Sequence, residues 1–100
     1  MINTNVAPEA LNAFKSAVKD YKPWQNNGAW NERQGNPFRD IINGGVMHGI
    51  LVAETAHDLF NVSAQKFQEW QNGKDIPVRK ERLKVWKTLK KELGLKQPSN

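Results

Sequence analysis

The chain has 100 residues, enough for one domain with a core of its own and too few for two. It contains no cysteine, so disulfide scaffolds, thiolate metal sites and cysteine nucleophiles are excluded. The formal net charge of +5, with 25% charged and 38% hydrophobic residues, fits a polar globule whose partners are acidic, nucleic acid first. No apolar run approaches the ~18 residues of a membrane helix, and no basic segment leads into an apolar one at the start, so a cytoplasmic chain is expected.

Residues 8–21 are predicted helical: Leu11, Phe14, Val18 and Tyr21 form one apolar stripe, Pro8 suits the first helical position and Glu9 complements the dipole. The helix should end by Lys22, which precedes Pro23. Residues 23–36 carry turn signals at Asn26-Asn27-Gly28 and Gly35, together with Trp24 and Trp30, and Phe38 follows closely. Aromatics in such a long loop either cap a core or form an exposed contact patch. Residues 38–43 predict a short helix broken by Gly44-Gly45. Residues 46–60 predict a longer one with Val46, Ile50, Ala53 and Phe60 near one face, in which Gly49 is a propensity cost. No segment alternates as a strand would, so the expected fold is all-α.

Asn61-Val62-Ser63 reads as a turn followed by a cap, Ser63 being the N-cap of a helix from Ala64 to Asn72 whose Phe67 and Trp70 face inward. Gly73 suits the left-handed residue that ends it. After Lys74-Asp75-Ile76-Pro77, the residues Leu83, Trp86, Leu89 and Leu93 form the stripe of a last helix stopped by Gly94. The charge is concentrated there. Residues 1–78 carry seven Lys/Arg against eight Asp/Glu, whereas residues 79–100 carry eight (Arg79, Lys80, Arg82, Lys84, Lys87, Lys90, Lys91, Lys96) against Glu81 and Glu92. Such a block is either a solubilising helix face or a phosphate-attracting one.

The order helix, turn, short polar helix with an aromatic anchor, glycine, helix resembles the Cro/CI-type phage repressor helix-turn-helix over residues 52–94. The resemblance is carried by Val62-Ser63, Trp70, Gly73-Lys74 and Pro77 at the family's spacings, with Gln71-Asn72-Gly73-Lys74 similar to its Glu-Asn-Gly-Lys. The chain departs from the family in three places. His57 stands where a small residue usually lies at the helix crossing, with Ala56 one residue earlier; either His57 is accommodated there or Phe60-Asn61 lengthens the turn. Asn61 replaces the turn glycine, and Val52-Ala53 replace the Thr-Gln that opens the family's second helix. The expected organisation is an N-terminal helix and loop (1–37), a helix-turn-helix domain (38–94) and a short tail (95–100).

The resemblance implies a sequence-specific regulator of repressor type that reads the major groove of double-stranded DNA with helix 63–72, as a homodimer on a pseudo-palindromic site. Base contacts are expected from Ala64, Gln65, Lys66, Gln68 and Glu69: an amide can pair with adenine, Lys with guanine, Ala with a thymine methyl and Glu with cytosine. Phosphate contacts are expected from Ser63, Asn72, the Gly73 N–H, Lys74, Arg79, Lys80 and Lys84. The alternative is a protein-interaction module, such as an antitoxin or phage regulatory factor, whose partner surface is Trp24, Trp30 and Phe38. A third possibility is non-specific binding through the C-terminal lysines alone. No cofactor is expected. His48 and His57 are nine apart with no acidic residue at ligand spacing on the same face, so no metal is expected. Gly44-Gly45 and Gly49 lack the following Gly-Lys-Ser/Thr of a phosphate loop, and Ser63 has no base beside it, so no enzymatic activity is expected.

Overall fold

A computed structural model describes residues 2–24 and 36–95, and among these the chain is all-helical. Helix α1 (Pro8–Asp20) starts on a proline at its first turn and buries Phe14 and Val18; Tyr21 then turns extended ahead of Pro23. Trp30 lies outside the described residues.

Helix α2 (Pro37–Met47) differs from the predicted short helix. It is capped by Asn36, whose side chain accepts the Arg39 N–H at 3.1 Å, and it runs straight through Gly44-Gly45. The glycine pair does not break the helix; Gly45 is there for close approach. A Cβ at Gly45 would lie 2.6 Å from Leu51 Cδ1 and 3.1 Å from Phe14 Cζ. The break comes at Gly49, whose φ of +73° only glycine adopts at little cost. The predicted helix over 46–60 is therefore not formed. The chain folds back after α2, and the Ile50 and Leu51 N–H groups both donate to the Gly45 carbonyl at 2.9 Å. Ile50 and Leu51 are buried as loop residues, while Ala53 is exposed. Apolar spacing near 3.6 is real at these positions, but a left-handed glycine stops a helix whatever the spacing beyond it.

Only one turn of that segment, α3 (Ala56–Leu59), is helical before the chain reverses through residues 60–63 into α4 (Ala64–Asn72). Asn61 takes the left-handed conformation expected of it, at φ +58°. Ala56, 2% exposed, is the small buried residue of α3, and His57 is only partly buried. The buried residue is thus Ala56 rather than His57, and the His57 ring lies against the turn, its Nδ1 3.0 Å from the Val62 carbonyl oxygen.

Helix α5 (Arg79–Glu92) closes the bundle against α1: the Trp86 indole donates to the Val18 carbonyl at 2.8 Å. The core is one cluster that includes Ile2, Phe14 and Val18 with residues of every later helix, so it crosses position 37 without interruption. Trp70, fully buried, is at its aromatic centre, with Phe38 edge-on at 5.2 Å and Phe60 and Phe67 at 6.1 and 6.4 Å. Among the described residues no helix is long and apolar enough to cross a membrane.

Candidate nucleic-acid interface

Helix α4 is specified at both ends by its own residues. Ser63 takes an extended conformation and its Oγ accepts the Lys66 N–H at 3.0 Å, satisfying one of the donors that a helix start leaves unpaired. Gly73, at φ +79°, ends it. Phe67 and Trp70 anchor the inner face, and that anchoring leaves Ala64, Gln65, Gln68 and Asn72 exposed on the outer one. Glu69 is half-buried at the margin. Of the five expected base-contacting positions, Ala64, Gln65 and Gln68 thus lie exposed on α4, and Glu69 lies partly exposed at its margin. Three amides, a methyl and a carboxylate are what this face offers a partner.

Lys66 is different. Its Nζ lies 3.2 Å from Asp75 Oδ2, and the same oxygen accepts the Trp70 indole N–H at 2.9 Å. The Asp75 hydrogen bond and charge hold the Lys66 ammonium above the ordinary lysine range. Lys66 is therefore paired within the protein.

At the other end of α4, the Gly73 N–H expected at a phosphate has a partner within the protein. That N–H is directed to the Trp70 carbonyl at 3.3 Å, because the residue that terminates a helix spends its donor on the helix's last carbonyls. The Lys74 N–H is likewise used, on Glu69 O at 2.9 Å and Asn72 Oδ1 at 3.0 Å. What remains for an anion here is the Asn72 amide N–H2 and the exposed Lys74 ammonium.

The basic block after Pro77 divides in two. Arg82 is buried, with Nε on the Pro23 carbonyl at 3.1 Å and Nη1 on the Pro77 carbonyl at 2.8 Å; it ties the loop after α1 to the start of α5. Lys90 is 8% exposed, with its ammonium 4.5 Å from the centre of the Trp86 ring. Both are fold residues. Arg79, Lys80, Lys84, Lys87 and Lys91 are exposed, and the last four recur at helical spacing, one row along α5. Lys84 and Glu81 line a cavity of about 170 Å³ together with the 59–62 turn and Trp70, so the row passes beside the turn that leads into α4.

Sequence reasoning missed Arg39. It is exposed on α2, yet its stem packs over Gly73: a Cβ there would lie 3.1 Å from Arg39 Cδ. A cation is thereby brought beside Asn72 and Lys74. No local pattern could signal this, because the two residues are far apart in the chain and meet only through the way α2 crosses α4.

Of the alternative partner surface, Phe38 is removed by burial: it is 2% exposed and wedged against Trp70, because its place on α2 faces the core. Trp24 is 41% exposed, its ring edge-on to Trp86 at 5.5 Å. Among the described residues no three His, Asp or Glu side chains gather as a metal site would require. No protein-family model matches the chain, and neither does any curated protein or solved structure.

Proposed function

We propose that the chain is a sequence-specific double-stranded DNA-binding regulator of the Cro/CI repressor type, cytoplasmic, with α4 as its recognition helix. One observation carries this: a short helix, capped at Ser63 and ended at Gly73, presents Ala64, Gln65 and Gln68 to solvent from its first two turns while Phe67 and Trp70 fix its inner face in the core. A helix of this kind fits the major groove with its N-terminal residues at base edges. Gln65 and Gln68 have the donor–acceptor pair that matches adenine, and Ala64 suits a thymine methyl. The Ala64 and Gln65 N–H groups, at the positive end of the helix dipole, suit a phosphate, as do the Asn72 amide, Lys74, Arg39 and the α5 row.

One such helix covers about 4–6 base pairs, so a homodimer on two half-sites about 34 Å apart supplies the rest of the specificity. The test is selection of bound duplexes from a random pool. A pseudo-palindromic winner is expected, and Gln65→Ala combined with Gln68→Ala should abolish its preference over random duplex without unfolding the chain. A pool with no enrichment refutes the proposal.

A further inference from the structure

The exposed face of α4 is electrically unusual for a surface meant to approach a polyanion. Its basic residue nearest the N-terminal turns, Lys66, is already neutralised by a carboxylate from the connection that follows the helix. The left-handed turn at Gly73 brings Asp75 back over α4, where its own N–H donates to the Glu69 carbonyl at 3.2 Å. The carboxylate is then gripped from the core side: Oδ2 takes the indole N–H of Trp70, a ring with no exposure at all. Most surface ion pairs lose much of their benefit in ordering two mobile side chains. Here one partner is already positioned by its hydrogen bond to Trp70, so Lys66 meets a fixed counter-charge 3.2 Å away.

Resting on the DNA reading above, we propose that Asp75 is a specificity-determining residue of this surface: it occupies the Lys66 ammonium and so withholds it from the phosphates of non-operator DNA. A phosphate can recruit Lys66 only by displacing Asp75, and one charge-assisted contact is then exchanged for another with little gain. Non-specific affinity comes almost wholly from such phosphate contacts and the counterions they release. Removing one cation from that set lowers the background while the neutral readers, Gln65 and Gln68, are left as they are. The ratio of operator to random binding rises accordingly. Asp75 touches no DNA in this scheme; it acts through Lys66.

The test uses the full chain and three variants, Lys66→Gln, Asp75→Asn and the two combined, titrated onto a fluorescent duplex of random sequence between about 50 and 200 mM salt. In Asp75→Asn the side-chain amide still offers an acceptor to the Trp70 indole, so the packing is kept while the counter-charge is removed. Lys66→Gln alone should leave the salt slope as in wild type. Asp75→Asn should bind random duplex more tightly and with a slope steeper by about 0.9, so that the rise in salt weakens it about 3.5-fold more than wild type. The combined variant should return to the wild-type slope, which a merely structural role for Asp75 would not produce. A slope flattened by about one unit in Lys66→Gln, or an unchanged one in Asp75→Asn, overturns the proposal. If Asp75→Asn fails to fold, Lys66→Gln decides alone, an unchanged slope supporting the proposal and a flatter one overturning it. Binding of duplex by wild type with a flattened Lys66→Gln slope removes the role of Asp75 only. No duplex binding by any of the four chains at the lowest salt overturns this proposal and the DNA reading together.

Discussion

Adjacent glycines in α2 should respond to the same substitution with opposite signs. Gly44 and Gly45 are both helical, so alanine at either recovers roughly 0.5–1 kcal/mol of the conformational entropy that glycine loses in a helix interior. At Gly44 nothing lies within 4 Å of the added Cβ, and that gain should appear as it stands. At Gly45 the Cβ would sit 2.6 Å from Leu51 Cδ1, 2.7 Å from Leu51 Cγ and 3.1 Å from Phe14 Cζ. Leu51 is 2% exposed and Phe14 3%, so neither ring nor branch has free space to retreat into, and the backbone of residues 50 and 51 is tied to the Gly45 carbonyl. Overpacking of this kind costs about 1–3 kcal/mol, which exceeds the propensity gain. The net expectation is stabilisation by about 0.5–1 kcal/mol for Gly44→Ala and destabilisation by up to about 2.5 kcal/mol for Gly45→Ala. Urea unfolding followed by tryptophan fluorescence reads both, and for a domain of this size a kilocalorie moves Tm by about 4–8 °C. Equal stabilisation of the two variants would refute the close approach of the chain after Gly49 to the face of α2.

Phe38→Ala should cost about 3–5 kcal/mol, because the ring is buried against Trp70, whereas Trp24→Ala should cost about 1 kcal/mol for an edge contact on a half-exposed ring; equal costs in chemical denaturation would contradict that difference in burial. Replacing Lys80, Lys84 and Lys91 by Gln should flatten the salt dependence of duplex binding by about 0.9 for each phosphate no longer neutralised and keep the base preference; a vanished preference would show that these side chains read sequence. Tyr21 is the single tyrosine of the chain, and burial pushes its phenol up to about 12 against the opposing charge of Arg82. The unfolded chain, titrating near 10, releases this proton first, so stability should be unaffected below about pH 10 and fall between about 10 and 12. Tyr21→Phe should remove that fall, and a tyrosinate absorbance midpoint near 10 in the folded chain would disprove the burial.

The parts of this fold legible in the sequence are those set by local chemistry. Ser63, Gly73 and the Phe67/Trp70 spacing bound α4 at the residues where it is found, because caps, left-handed glycines and helical periodicity all act within one or two turns. The stretch from Gly44 to Phe60 is not legible in the same way. Two glycines in a row suggest a break that the packing of Leu51 on Gly45 overrides, and the lone Gly49 makes the break instead. Helix propensity is a weak local bias that a close tertiary contact readily outweighs. The same holds for charge. Composition counts Arg82 and Lys90 with their neighbours, but one is bonded to two carbonyls in the interior and the other lies over an indole.

On the proposed DNA-binding reading, that division has a functional consequence. If the block of eight cations acted as a whole, attraction to phosphate would be the main property of the chain and sequence preference a small correction to it. With Arg82 and Lys90 committed to the fold and Lys66 to Asp75, the exposed cations among the described residues include Arg79, Lys80, Lys84 and Lys91 on α5, and Arg39 and Lys74 beyond the far end of α4. Between them the exposed face of α4 is made of alanine, amides and a carboxylate. Amides gain little from a phosphate backbone and much from a matching base edge, because an unmatched edge leaves their donors and acceptors unpaired once water is expelled. On the proposed DNA-binding reading, an amide-bearing helix with cations near both its ends would separate two quantities that a basic helix would combine: the flanks would set how tightly any duplex is held and how strongly salt opposes it, and the helix would set which duplex is held longest.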